Sequence, residues 1–353
     1  MGLDKELDEV NPMVRDFQPI FADMAALGLW VGNGNRRLVF WKIVVWGLLV
    51  SYLCMWAVQL SGQEPFLVDV RFVNDLVSSL SAFGVQFQMQ KHSRGLSAVV
   101  RSLGPRKLTA TLRSLVFLLA FVPWVAQASM TAAHLSRPAN STLATPVTCL
   151  RFVLVRNHIW LGAVLTSCLC LALASKFRHL NSALFLDGPL SARAVDGARQ
   201  AYGLLCSMIS VIDNALGPVS FMWNAAFVAD AVSLCLEASV SALVPMSLTL
   251  LNLVLLVSLW LLSAEASTRL KLEALETIDT FAYKLCDQPE LSLPGALACA
   301  AARQQRLGLS CWGIAPVGRS LALFVFGAAA ALSGLALYYK DELDNAKHYA
   351  LAL

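Results

Sequence analysis

The residues of this chain that could do chemistry stand where polar groups are costly. Asp69, Arg71, Asn74 and Asp75 fall in an apolar run over 66–89, and Trp124 and Gln127 in a run over 115–134. Arg156 and His158 fall in a run over 152–175, and Trp223, Asn224 and Asp230 at or just past the end of a run over 204–228. Ionisable groups inside such segments mark sites more often than they decorate them, because each charge is expensive to hold there. Together they offer donors, acceptors and aromatic faces, which suits a polar or amphipathic small molecule. The plainer reading of Asp69 and Arg71 is an interfacial ion pair, and of His158 a hydrogen-bonded histidine rather than a metal ligand. Asp213-Asn214 lies deeper in its run and reads as a polar lock between helices. No HExxH, no GxSxG and no facing carboxylate pair occurs, so no enzyme active site is read, and no cofactor. The nine cysteines show no CxxC or Cys/His ligand spacing, so no metal site is read either.

Composition says what must position these groups. Of 353 residues, 57% are hydrophobic and only 14% charged, where a soluble domain carries roughly 25% charged residues. That is too little charge to solvate a globular surface and too much apolar residue for a disordered chain. The net charge of +4 and the scattered basic residues give no footprint for nucleic acid. The polar, acidic start at Asp4-Lys5-Glu6 predicts no cleavable signal peptide, and Glu6 stands where a myristoylation motif needs Ser or Thr. A polytopic membrane protein, with lipid as its surroundings, is the class that remains.

A bilayer core needs roughly 20 apolar helical residues per crossing. Seven runs qualify: 38–60, 66–89, 115–134, 152–175, 204–228, 242–263 and 320–339, the fifth interrupted by Gly217-Pro218. Lys and Arg are retained on the cytoplasmic side. With the N-terminus inside, the N-terminal segment, the 2–3 loop, the 4–5 loop and the 6–7 segment hold 4, 6, 4 and 6 of the 27 basic residues. The opposite side holds Arg137, Lys340 and Lys347. The chain therefore reads as an all-α membrane protein with a cytoplasmic N-terminus and an extracellular C-terminus. Its glycosylation sequon at Asn140 falls in the outside 3–4 loop, in agreement. A G-protein-coupled receptor has the reverse orientation, and its Asp-Arg-Tyr and Asn-Pro-x-x-Tyr motifs are missing here. Cys149 and Cys235 both fall in outside loops and could pair in an oxidising compartment.

Beyond the sixth run, Leu270, Leu275, Ile278, Phe281 and Leu285 recur at helical spacing, with Glu265, Arg269, Glu273 and Glu276 on the other side. The sixth span is thus predicted to continue as a cytoplasmic amphipathic helix, followed after a Pro-containing break by a helix over about 295–309. The expected organisation is a cytoplasmic segment 1–37, a six-helix ligand-binding region 38–263, cytoplasmic anchor helices 264–319, a seventh span 320–339 and an extracellular tail 340–353.

Three short stretches carry a resemblance. Gly313-Ile314-Ala315-Pro316-Val317-Gly318-Arg319-Ser320-Leu321 is similar to the glycine–aromatic–x–x–aliphatic–x–Arg–Ser–Leu stretch that leads into the last span of the arthropod gustatory receptor family. Ile314 stands where that family has an aromatic. Phe177-Arg178-His179-Leu180-Asn181 resembles its Phe-x-x-Leu-Asn at the inner end of the fourth span, and Val211 to Gly217 its aliphatic–Asn–x–x–Gly pattern in the fifth. The chain resembles a divergent member of that family, which belongs with the insect odorant receptors in one superfamily. Its last span lacks the family's Thr-Tyr and Gln-Phe signature, having Ala331-Leu332, then Ser333 to Leu337, then Tyr338-Tyr339.

The resemblance implies a receptor that is itself the channel, with four subunits around one pore lined by the last span. Ligand would bind between spans in the outer half of each subunit and open the pore to cations. Carried over, Ser333, Leu337, Tyr338 and Tyr339 would line the pore, with the tyrosine pair at the outer constriction. The plainer reading of Tyr338 and Tyr339 is interfacial anchoring. Asp341, Glu342 and Asp344 beyond them would form an acidic vestibule that favours cations. The implied partners are a tastant or other chemical ligand, cations, membrane lipid, and copies of the chain in a homotetramer or related receptors in a heteromer, at the plasma membrane. A secondary transporter of a small polar solute is the alternative, though no inverted repeat or paired broken helices are visible.

Overall fold

The computed structural model describes residues 16–26, 46–47, 50, 65–103, 110–135, 155–186, 192–240, 243–286, 299 and 307–352. Seven α-helices of nine residues or more are described: α1 (Gln18–Ala26), α2 (Pro65–Ser102), α3 (Ala110–Leu135), α4 (Asn157–Leu186), α5 (Ala192–Val240), α6 (Leu243–Cys286) and α7 (Arg319–Ala352). A two-stranded hairpin, β1 (Ser310–Cys311) with β2 (Ala315–Pro316), leads into α7. Among the described residues, α4, α5, α6 and α7 are each long and apolar enough to cross a membrane. Outer and inner below follow the charge asymmetry of the sequence, which makes the end where α4 begins and α5 finishes the outer one.

The bundle is built around α4. Its apolar stretch is 89% buried, and it packs against α2, α3, α5 and α6. An element enclosed on all sides must be apolar nearly all round, and the run from Ile159 to Ala174 meets that demand, broken only by Thr166 and Ser167, whose hydroxyls donate to the helix's own carbonyls. Gly162 lets α5 approach closely, since a Cβ there would sit 2.8 Å from Val219 Cγ1. Gly162→Leu is therefore expected to overpack this crossing and destabilise the fold by about 1–3 kcal/mol, read as a lower thermal midpoint of the detergent-solubilised protein.

Two expectations change. The Gly217-Pro218 interruption does not break α5, which runs 49 residues as one helix with Pro218 inside it. The Gly217 carbonyl instead accepts a hydrogen bond from Trp312 N at 3.1 Å, so a neighbouring element takes part in the helix here. The outside loop expected after the fifth span is likewise helical, because α5 continues to Val240 with Ala231 and Leu234 buried. The sixth span does continue as the amphipathic helix predicted, ending at Cys286. α7 extends well past Tyr339, to Ala352.

The N-terminal part is seated in the bundle. α1 packs against α3 and α4, with Phe17, Ile20 and Met24 wholly buried. Of the first apolar run only Trp46, Gly47 and Val50 are described, and Trp46 meets Phe83 of α2 at 5.1 Å between ring centroids.

Candidate functional site

Buried polar groups gather where α4 begins. Arg156 Nη2 donates to Asp230 Oδ1 on α5 at 2.7 Å, with the two side chains 3% and 5% exposed. Two residues on, His158 Nε2 donates to Gln86 Oε1 of α2 at 2.5 Å. Two polar residues at the head of α4 thus fasten it to two different helices. Across the bundle, Asn252 of α6 donates to the Ala126 carbonyl at 2.7 Å and to Ser129 Oγ at 3.1 Å on α3. Trp160 meets Trp223 edge-on at 6.3 Å between centroids, and Trp223 precedes Asn224, whose Oδ1 accepts from Trp260 Nε1 at 3.0 Å.

Several groups in this region carry hydrogen-bonding capacity that the chain does not use. Both amide atoms of Gln127 and of Asn157, the Gln86 amide nitrogen and the Trp160 indole nitrogen are buried without a hydrogen-bond partner. An unmet buried polar group costs about 1–3 kcal/mol, so such a concentration calls for something else to meet it. Nothing of the sort is found along the apolar middle of α4, where Thr166 and Ser167 satisfy themselves on carbonyls one turn back.

The candidate residues separate into groups. Arg156 is paired with Asp230 of α5 and His158 with Gln86 of α2, Trp223 and Asn224 lie on α5, and Gln127 lies on α3, which packs against α4. Trp124 turns to the N-terminal helix, where its indole hydrogen-bonds the Asp23 carboxylate of α1. Asn74 is buried on α2 and accepts from Ser78 Oγ at 3.4 Å. Asp69, Arg71 and Asp75 lie on the same helix, with side chains outside the described residues, as are Asn140 and Cys149 altogether. Cys235 lies on α5 with a free thiol. Asn157, Trp160, Gln86 and Asp23 were not singled out from sequence. Asn157 was the findable one, since Arg156-Asn157-His158 puts three polar residues in a row ahead of an apolar run.

A second polar cluster roots α7. Asp213, 9% exposed on α5, accepts from Ser310 N at 2.6 Å and from Ser310 Oγ at 2.9 Å. The hairpin that follows turns at Trp312 (φ 52°) and Gly313 (φ 73°), both left-handed as in a type I′ turn, and Trp312 packs edge-on against Phe221. Next, Ser267 Oγ of α6 donates to the Val317 carbonyl at 2.9 Å. Glu265 then binds the Arg319 guanidinium at 2.9 Å through Oε2 and Arg269 through Oε1 at 3.0 Å. The last helix is thereby fixed to both α5 and α6 at its inner end. The polar lock expected at Asp213 joins α5 to this hairpin.

Further out, α7 is barely covered. Among the described side chains of α7 only a stripe of Ala322, Val325, Ala329 and Ser333 is buried, whereas Leu323 and Phe324 are 75% and 74% exposed. A Cβ at Gly327 or Gly334 would meet nothing within 4 Å, so these small residues serve no contact within the chain. Tyr338 and Tyr339 are half-exposed and set edge-on to each other, and the Tyr338 hydroxyl donates to Glu342 at 2.8 Å. Leu337 is partly exposed and Asp341 exposed.

No protein-family model and no curated protein matches the sequence. Solved structures do match. The insect olfactory receptor OR5 from Machilis hrabei in complex with eugenol superposes with a TM-score of 0.72 at 11% identity, over 93% of this chain and 97% of that one. A second structure of the same receptor gives 0.67 at 12% identity, over 92% and 96%. Nearly the whole length of both molecules is shared, and the chain has the all-helical fold of an insect olfactory receptor.

Proposed function

We propose that the chain is a chemosensory receptor of the insect chemoreceptor superfamily, gustatory in type, acting as a ligand-gated non-selective cation channel. It sits in the plasma membrane with seven spans and a cytoplasmic N-terminus. A small molecule binds in the outer half of the bundle, held by Gln127 and Asn157 and flanked by Trp160, near the Arg156–Asp230 pair. Occupancy shifts α7, four copies of which surround one pore. The observation that carries the reading is the set of buried, unpartnered amide and indole groups at Gln127, Asn157 and Trp160, within a fold shared end to end with a receptor solved in complex with eugenol. The uncovered apolar face of α7 supports the rest, since such a surface must meet lipid or another copy.

The test is a ligand panel on cells expressing this chain alone, read as cation influx. Gln127→Leu and Asn157→Leu separate a binding role from a folding one. Each removes unmet polar atoms, so the thermal midpoint is expected to hold or rise. The ligand concentration for half-maximal influx is expected to rise about tenfold or more, one good buried hydrogen bond to ligand being worth about 1.4 kcal/mol or more. A fall in stability with unchanged sensitivity contradicts the assignment.

A further inference from the structure

The inner part of α2 carries basic residues on the face turned away from the bundle. Met89, Leu96 and Val100 are buried against the rest of the molecule, whereas Leu80, Phe87, Lys91, Arg94 and Arg101 are exposed. Steps of seven, four, three and seven residues place those five on one side of the helix. Along that side the character changes once, from apolar to basic, between Phe87 and Lys91. The surrounding sequence is one-sided too: from Leu76 to Leu186 it holds eleven Lys and Arg and not one Asp or Glu. Three other basic residues of the inner end are met by acids of α6, Arg178 by Glu273 and both Arg269 and Arg319 by Glu265. Among the described residues Lys91 and Arg94 enter no ion pair, and Arg101 donates to Ser97 Oγ at 3.2 Å.

We propose that this face of α2 binds anionic phospholipid of the cytoplasmic leaflet, with the tails along Leu80 and Phe87 and the headgroup phosphate held by Lys91 and Arg94. The depth fits. At about 1.5 Å per residue, Lys91 and Arg94 stand about 6 and 10 Å beyond Phe87, and the headgroup layer on each side of a bilayer is about 5–8 Å thick. Arg101 stands about 10 Å further on, near one Debye length, and adds to the attractive field. Each basic residue at an anionic membrane surface strengthens the attraction about fivefold. The partner is lipid rather than an acidic protein or a nucleic acid because the basic stripe directly continues an exposed apolar one, and only a phospholipid offers tails and phosphate in that order. The proposal rests on the membrane orientation given above and not on the channel assignment.

Photocrosslinking of the full-length chain in nanodiscs of phosphatidylserine and phosphatidylcholine in equal amounts tests the site. A trace of one lipid or the other carries a diazirine in its tail, and the labelled peptides are mapped after illumination. Phosphatidylserine is expected to label the stretch 76–103 at least about threefold more than phosphatidylcholine does. The excess should vanish in Lys91→Gln/Arg94→Gln/Arg101→Gln. It should persist in Arg193→Gln/Arg199→Gln/Lys271→Gln, which removes as many exposed charges from α5 and α6. If the α2 variant fails to fold, the native chain still decides, because salt at about 1 M cuts the Debye length to about 3 Å and should remove the excess. Equal labelling by the two lipids in the native chain overturns the proposal, and is the result expected if the partner is an acidic protein or a nucleic acid. Equal loss in both variants overturns it too, since net charge and not this face would then be at work, as does an excess that salt leaves intact. No readout uses a ligand or a current, so a failure here is distinguishable from a failure of the channel assignment.

Discussion

Asp230→Ala is expected to be among the most destabilising single substitutions in the molecule, at about 3–5 kcal/mol. The change deletes one carboxylate, but the cost comes from what stays behind. Arg156 is 3% exposed, and without Asp230 its guanidinium charge is left in a low-dielectric interior that cannot solvate it. Replacing both residues by apolar ones of similar volume, Arg156→Met with Asp230→Leu, removes that uncompensated charge and is expected to recover most of the loss. The measurement is the thermal midpoint of the two variants against the native chain in detergent. If the double variant is no better than Asp230→Ala, the pair is not what holds α4 to α5.

Asp213→Ala is expected to act differently, removing gating more than binding. The carboxylate takes both the amide and the hydroxyl of Ser310, and hydrogen bonds to a charged group contribute about 1.5–3 kcal/mol each. Its loss frees the hairpin from α5 at the point where the chain turns into α7, and leaves the Ser310 amide unmet. A receptor so altered is expected to bind ligand within about threefold of native affinity, because Asp213 lies several helical turns from Gln127 and Asn157 and shares no partner with them. Ligand-evoked current should fall at least about tenfold, the equivalent of one lost bond of this strength. Radioligand or thermal-shift binding alongside current recording separates the two. Equal losses of binding and current would mean that the hairpin supports the pocket rather than the gate. Exchanging the charges at Glu265 and Arg319 probes the same root from α6. Glu265→Arg alone should abolish current, and pairing it with Arg319→Glu should restore part of it.

How much of this was legible in sequence follows from the range of the interactions. Apolar runs of membrane length declare themselves locally, so the helices and the extension of α6 could be read from composition and periodicity. So could the importance of Arg156 and His158, because charge inside an apolar run is anomalous wherever it occurs. What could not be read are the partners. Arg156 finds Asp230 74 positions away, and Asp213 finds Ser310 97 positions away. Nothing in either local sequence distinguishes a buried pair from an interfacial one. Gly217-Pro218 misled for a related reason. The dipeptide weakens a helix in isolation, but here α5 is packed against α2, α4, α6 and α7 and runs through it as one helix. The hairpin itself has strands of two residues, too short for any periodic signal. Asn157 was missed because an amide between two ionisable residues looks subordinate to them, whereas in the fold neither of its amide atoms finds a partner.

On the proposed function, ligand binding to this protein alone opens a cation pathway. Purified protein reconstituted in a planar lipid bilayer, with no other protein present, tests it most directly. Addition of an active ligand from the panel should evoke discrete cation currents that vanish on washout and are reduced in Gln127→Leu. Ligand binding with solute flux but no current, or currents that require an added G protein, would contradict it.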